Sequence, residues 1–172
     1  AINNNQKTSL NKKFTEVFNL AEKISRETAG AFDITVAPLV NEWGFGFKKG
    51  VDPSKHAIDS LRQIVGYQKV ALKDGKIVKQ DPRINLDCSG VAKGYGSDCV
   101  ANLLRRHGIE NFMVEIGGEV VTSGINPDRV PWRIGVTKPV DDPTLQGGEL
   151  QTVLNVTDKA MATSGNYRNF YY

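Results

Sequence analysis

The sequence has little sulfur and little histidine. Its two cysteines, Cys88 and Cys99, are not in CxxC spacing, so neither a disulfide framework, a zinc knuckle nor thioredoxin-like chemistry follows. They read as small, buried or half-buried thiols. The two histidines, His56 and His107, fall at helical positions that read as solvent-facing or terminal, and His107 before Gly108 suits a helix C-terminus. Ser164 lies on a Thr163-Ser164-Gly165 turn, but no third member of a hydrolytic triad can be placed beside it. No apolar run reaches the length of a bilayer span, and no basic-plus-apolar leader opens the chain. Internal repeats and low-complexity tracts are missing too. Charge of one sign is nowhere concentrated: 22 basic and 19 acidic residues are dispersed to a net +3, which excludes the basic stripe of a nucleic-acid binder.

What is present is an ordinary globular composition, 40% hydrophobic and 24% charged, over 172 residues, so a single domain spanning 1–172 is expected. The chain opens on a polar, Asn-rich segment at Ala1 and stops on the strand-like run Phe170-Tyr171-Tyr172, which suggests a portion of a longer protein cut at both ends.

Leu10, Phe14, Val17, Phe18, Ala21 and Ile24 recur at helical spacing, with Ser9 or Thr8 as cap and Gly30 as stop. The following stretch, TAGAFDITVAPLVNEWGFGF, has no clear period and reads as a buried or pocket-lining loop with short helical turns. Asp52-Pro53 looks like a cap and first-turn proline opening a helix through Ile58, Leu61, Ile64 and Val65 towards Gly66. Lys69–Lys73 and Lys76–Lys79 around Asp74-Gly75 form a hairpin. Ile84–Asp87 reads as a short strand, followed by a helix from Ser89 to His107 with Val91, Tyr95, Cys99, Val100, Leu103 and Leu104 inward and Gly108 as stop. Further strands are expected at Phe112–Ile116, Val120–Thr122, Trp132–Thr137 and Leu150–Val156, punctuated by Gly117-Gly118, Asn126-Pro127-Asp128 and Gly147-Gly148. Helices and hairpins in this order predict a mixed α+β domain with mostly antiparallel strands.

The densest chemistry lies in Leu86-Asp87-Cys88-Ser89-Gly90-Val91-Ala92-Lys93-Gly94-Tyr95-Gly96. Glycines at a strand-to-helix junction let backbone N–H groups approach an anion at the positive end of a helix dipole. The stretch matches neither the P-loop nor the Rossmann fingerprint, and close helix packing explains the glycines equally well. Lys93 falls in the first turn of that helix, where a cation is disfavoured, and Asp87 is a candidate partner for it or a helix cap. Asp33, among apolar neighbours, needs backbone amides, a cation or a ligand's donors. Glu115 and Glu119 flank Gly117-Gly118; such a carboxylate pair can serve glycoside hydrolysis, but nothing in the sequence sets their separation.

Four stretches taken together resemble one family. They are Gly30-Ala31-Phe32-Asp33-Ile34-Thr35-Val36-Ala37-Pro38-Leu39-Val40 with Trp43-Gly44-Phe45-Gly46; Leu86 to Tyr95; Asn111-Phe112-Met113-Val114-Glu115-Ile116-Gly117-Gly118-Glu119; and Ala162-Thr163-Ser164-Gly165-Asn166-Tyr167-Arg168. In that order they resemble the ApbE-type FAD:protein FMN transferases. The resemblance implies an α+β flavin transferase fold and a reaction that splits FAD at its pyrophosphate. FMN is joined through its phosphate to a Thr or Ser hydroxyl of a target flavoprotein, AMP leaves, and Mg²⁺ assists. Two alternatives share the pocket: a metal-dependent FAD pyrophosphatase giving FMN and AMP, and a non-catalytic flavin-binding or trafficking protein.

Carried over by position, the resemblance implies FAD contacts from Ala31, Phe32, Asp33, Asp87 and Lys93, the last suited to phosphate, and a metal ligand in the Gly90 carbonyl. Glu115, Gly117 and Gly118 would shape the pocket. Family members also carry a Met-Gly-Thr strand ahead of the first helix. They continue past the Tyr-Arg segment to a His with Asp-Pro-x-Thr-Gly, then to an Asp and a Thr of the metal site. None of these stands in the present sequence, and His56 and His107 are not in that motif, so the catalytic residue is unassigned. An extracytoplasmic location, with anchoring through a lipoprotein leader, is a further implication of the resemblance alone.

Overall fold

Helices and antiparallel strands are mixed in the computed structural model, which describes residues 1–46, 53–139 and 149–165. The chain divides into two compact units, Ala1–Ala92 and Lys93–Tyr172.

In the first unit, helix α1 (Lys12–Glu27) begins two positions later than a Ser9 cap would start it: Asn11, not Ser9 or Thr8, accepts from the Phe14 amide at 2.8 Å. Asparagine is as strong a cap as serine, and here it stands next to the first helical residue. The helix ends with the Ala29 amide on the Arg26 carbonyl and the Gly30 amide on the Ser25 carbonyl, a left-handed closure with φ of 51° at Ala29 and 85° at Gly30. A short 3₁₀ turn (Ile34–Val36) and α2 (Ala37–Glu42) follow, in keeping with short helical turns in that stretch. Helix α3 (Lys55–Arg62) is capped by Ser54, whose hydroxyl accepts from the Ala57 amide at 3.2 Å; Pro53 precedes the cap instead of following it, and Asp52 lies outside the described residues. The hairpin of β1 (Val70–Lys73) and β2 (Lys76–Lys79) turns at Asp74 and Gly75, both with positive φ, as the Asp-Gly pair predicts.

The expected strand at Ile84–Asp87 does not form. Its backbone groups find partners without a neighbouring strand. Asn3 accepts from the Leu86 amide and donates to the Leu86 carbonyl at 2.8 and 3.0 Å, the Lys79 ammonium donates to the Ile84 carbonyl, and the Asp87 amide donates to the Ile34 carbonyl at 2.7 Å. The apolar residues of this segment still go inside: Ile84 and Leu86 join Phe18, Ala21, Ile34, Ile64 and Val70 in the core of the unit, with Phe14, Phe32, Cys88 and Val91 packed against it.

Helix α4 (Ser89–Arg106) crosses the boundary between the units. The second unit holds a three-stranded antiparallel sheet in the order β3 (Phe112–Ile116), β4 (Glu119–Ser123), β7 (Ala160–Met161), and an antiparallel ribbon of β5 (Trp132–Thr137) and β6 (Leu150–Val156). Gly117 and Gly118, with φ of 56° and 90°, close the β3–β4 hairpin in a two-residue turn. Asn126 builds the expected turn before β5, its side chain accepting from the Asp128 and Val130 amides. The Gly147-Gly148, Tyr167-Arg168 and Phe170–Tyr172 expectations lie outside the described residues.

The inward face of α4 differs from expectation. Val100 and Leu103 are 39% and 46% exposed, whereas Ser97 and Ala101 are fully buried. Small residues one turn apart let the helix approach the sheet, and the Ser97 hydroxyl donates to the Glu119 carbonyl at 3.0 Å. Ala101 and Leu104 pack with Phe112, Val114 and Val121, while the Arg105 guanidinium lies 5.3 Å from the Phe112 ring centre. Among the described residues no helix is long and apolar enough to cross a membrane.

Candidate active site

The first unit places Ala31, Phe32, Asp33, Asp87 and Gly90 around the junction that leads into α4. Asp33 is tied into the fold. One carboxylate oxygen accepts from the Thr35 amide and the Thr35 hydroxyl, the other from the Tyr67 amide, each at 2.7 Å. The Thr35 hydroxyl in turn accepts from the Gly66 amide at 2.7 Å, so one carboxylate and one buried threonine clamp two loops together. A carboxylate offers about four acceptor positions, and three are used by the protein. Of the partners the sequence leaves open for Asp33, the structure supplies the backbone amides, and it adds the Thr35 hydroxyl.

Phe32 packs against the core with its amide donating to the Thr28 hydroxyl, and Ala31 is exposed at the turn. Gly90, in the first turn of α4, is closely packed: a Cβ there would lie 3.1 Å from the Phe32 ring, which would have to give by a few tenths of an ångström. Close packing therefore accounts for this glycine. Asp87 accepts from the Ser89 amide at 2.8 Å, an acid serving the open end of the helix. Cys88 stands between these residues as a free thiol; burial, then the Asp87 charge, pushes its pKa up, so it stays protonated and is a poor nucleophile.

In the second unit, Lys93 is paired with Glu119, not with Asp87. Its ammonium is 3.0 Å from the Glu119 carboxylate and donates to the Gly117 carbonyl at 2.9 Å. This corner opens on a cleft of about 1140 Å³ lined by Lys93, Met113, Glu115, Gly117, Gly118 and Arg133, by Met161, and by the Ala162–Gly165 segment. Its size is a little above the range for small-molecule and cofactor pockets, about 300–1,000 Å³. The lining mixes two cations, two thioethers, the exposed hydroxyls of Thr163 and Ser164, and the Gly117-Gly118 turn. Thr163 stands against the turn: a Cβ on Gly118 would meet its hydroxyl at 3.5 Å.

Glu115 is exposed and lines the cleft, whereas Glu119 is drawn away to Lys93; the two carboxylates do not form a hydrolytic pair. His56 is exposed on α3 and His107 is exposed in the turn that follows α4. Among the described residues no group of three or more His, Cys, Asp or Glu is arranged to hold a metal ion. Sequence reasoning missed the pairing role of Glu119, the clamp partner Thr35, and the lining residues Arg133 and Met161. Arg133 alternates outward on an ordinary strand and Met161 sits in a strand of two residues, so neither carries a local signature.

Comparison with known proteins adds a lineage to this geometry. The ApbE family model matches residues 1–172. A FAD:protein FMN transferase of Vibrio cholerae is 42% identical over 153 residues, covering 88% of this chain and 45% of that relative. The FAD:protein FMN transferase of Escherichia coli K12 is 33% identical over 162 residues, covering 91% of this chain and 45% of the relative. The solved flavin transferase ApbE of Vibrio cholerae superposes with a TM-score of 0.83 at 37% identity, over 99% of this chain and 56% of that one. The apo flavinyl transferase ApbE of Pseudomonas stutzeri superposes at 0.79 with 30% identity, over 95% and 50%. The chain spans about half the length of the curated relatives it matches.

Proposed function

This chain belongs to the ApbE family, and from that premise we propose that its protein transfers FMN from FAD to a Thr or Ser hydroxyl of a target flavoprotein, with Mg²⁺ and with release of AMP. One observation carries the proposal. Three of the four stretches that bear the family resemblance, Lys93, Met113–Gly118 and Ala162–Gly165, converge from distant sequence positions on the same cleft.

The chemistry asks for few covalent partners and much positioning. The acceptor oxygen attacks the FMN phosphorus, the bond from that phosphorus to the bridging oxygen breaks, and AMP leaves with the bridging oxygen. The hydroxyl proton passes to a base that is not assigned among the described residues. Lys93 and Arg133 supply positive charge to the pyrophosphate, the glycine turn lets phosphate oxygens approach the backbone, and Met113 and Met161 offer polarizable apolar surface to a ring system. When bound, Mg²⁺ neutralises the pyrophosphate and stabilises the leaving phosphate. The described residues do not make a centre for it by themselves. The Gly90 carbonyl is a ligand by resemblance only. Extracytoplasmic placement belongs to the same proposal and rests on the family resemblance.

The test uses the complete natural polypeptide that contains these residues, incubated with FAD, Mg²⁺ and a candidate acceptor flavoprotein. Intact-mass measurement is expected to show the acceptor heavier by one FMN. AMP released at the same rate with no acceptor present would favour the pyrophosphatase. Flavin binding without AMP release under any condition would favour the non-catalytic reading.

A further inference from the structure

Lys93 is the fifth residue of α4, just past its first turn and near the end where a cation is unfavourable, and the structure holds it there from two sides. Its ammonium has three protons to donate. One goes to Glu119 and one to the Gly117 carbonyl. The third has no partner among the described residues, and Lys93 lines the cleft.

The hold is built from three elements. The Glu119 side chain is only 16% exposed against 47% for Lys93, and its own backbone carbonyl is fixed by the buried Ser97 hydroxyl one turn along α4. Gly117 is needed twice: its φ of 56° closes the hairpin, and a Cβ on it would sit 2.9 Å from the Lys93 Cδ. A surface ion pair of two wandering side chains has none of these constraints. Glu119 itself is not among the residues lining the cleft.

We infer that Glu119 is a positioning residue: it fixes the Lys93 ammonium so that one remaining N–H faces the phosphates of the flavin dinucleotide, and it does not touch them. The inference rests on the cleft being the flavin site. Glu119 also offsets part of the lysine's charge. Removing its charge leaves an ammonium that attracts phosphate at least as strongly in the ground state but is no longer held in place during transfer.

The experiment is a double-mutant cycle in the complete polypeptide, with steady-state FMN transfer and acylation of Lys93 by a water-soluble amine reagent as the two readouts. Glu119→Gln is expected to lower kcat about tenfold with KM for FAD unchanged or lower. In a Lys93→Met background the same change is expected to add less than about twofold. Lys93 acylation, followed by peptide mass spectrometry against the exposed Lys13, is expected to accelerate several-fold in Glu119→Gln. If Glu119→Gln does not fold, as judged by its melting curve, Glu119→Asp goes through the same cycle; it keeps the charge but withdraws it by one methylene. Equal losses of kcat with and without Lys93, or a raised KM at constant kcat, overturn the inference. A wild-type protein that neither binds FAD nor transfers FMN overturns its flavin part, and acylation then decides alone whether Glu119 holds Lys93: unchanged labelling in the variant would show that it does not.

Discussion

Asp33 and Glu119 are both acidic residues within stretches that bear the family resemblance, and the protein uses them in opposite ways. The Asp33 carboxylate is taken up by the fold: two backbone amides and one hydroxyl share it, and it joins the 3₁₀ turn at Ile34 to the loop at Gly66-Tyr67. The Glu119 carboxylate holds a cation, and that cation still has a proton to offer. An acid in a recognised motif is therefore not a ligand contact by default. The direction of its hydrogen bonds, inward to amides or outward through a lysine, separates architecture from recognition.

The contrast can be broken most forcefully at Asp33. Asp33→Ala orphans three donors at once, two of them backbone amides, and is expected to destabilise the fold by about 3–4 kcal/mol in urea denaturation. Asp33→Asn keeps an acceptor for one side of the clamp and should cost about half as much. Loss of flavin binding in these variants should track loss of fold; a fully stable Asp33→Ala protein would remove the clamp from the account.

Gly117→Ala comes next. It places a methyl group at positive φ and against Lys93, so a loss of about 1–2 kcal/mol in stability is expected, together with weaker FAD binding because the lysine must move. A substitution that costs stability but leaves FAD affinity untouched would separate the turn from the lysine and blunt the comparison. The smallest effect is expected at Ser25, a fully buried helix residue whose hydroxyl has no hydrogen-bond partner among the described residues. Ser25→Ala should change stability by less than about 1 kcal/mol, in the stabilising direction, since an unpaired buried polar atom is removed; clear destabilisation in thermal melts would indicate a partner for the hydroxyl.

Much of the fold was legible because its turns are chemically explicit. Asp74-Gly75 and Gly117-Gly118 turn the two hairpins as expected, and β3, β5 and β6 have the expected limits. The errors share a cause: the deciding partner is remote in sequence. Ile84–Asp87 carries a strand's apolar pattern, but Asn3, Lys79 and Ile34 satisfy its backbone. Val100 and Leu103 fit the apolar period of α4, yet the small residues Ser97 and Ala101 set how the helix meets the sheet. At the site, the sequence picks out Lys93 by its awkward place on the helix dipole. Of the two roles it leaves open for Asp87, the helix cap is the one that forms, through the Ser89 amide, while the partner of Lys93 is Glu119, brought up by a hairpin.

The central claim is that the cleft beside Gly117-Gly118 binds FAD with Lys93 on its phosphates. Spectral titration of FAD into the complete polypeptide, wild type against Lys93→Ala, tests it most directly. A weakening of about 1–3 kcal/mol in binding, with an unaltered melting curve, is the expected result. Equal affinity in a well-folded variant would return Lys93 to an ordinary surface ion pair and contradict the account.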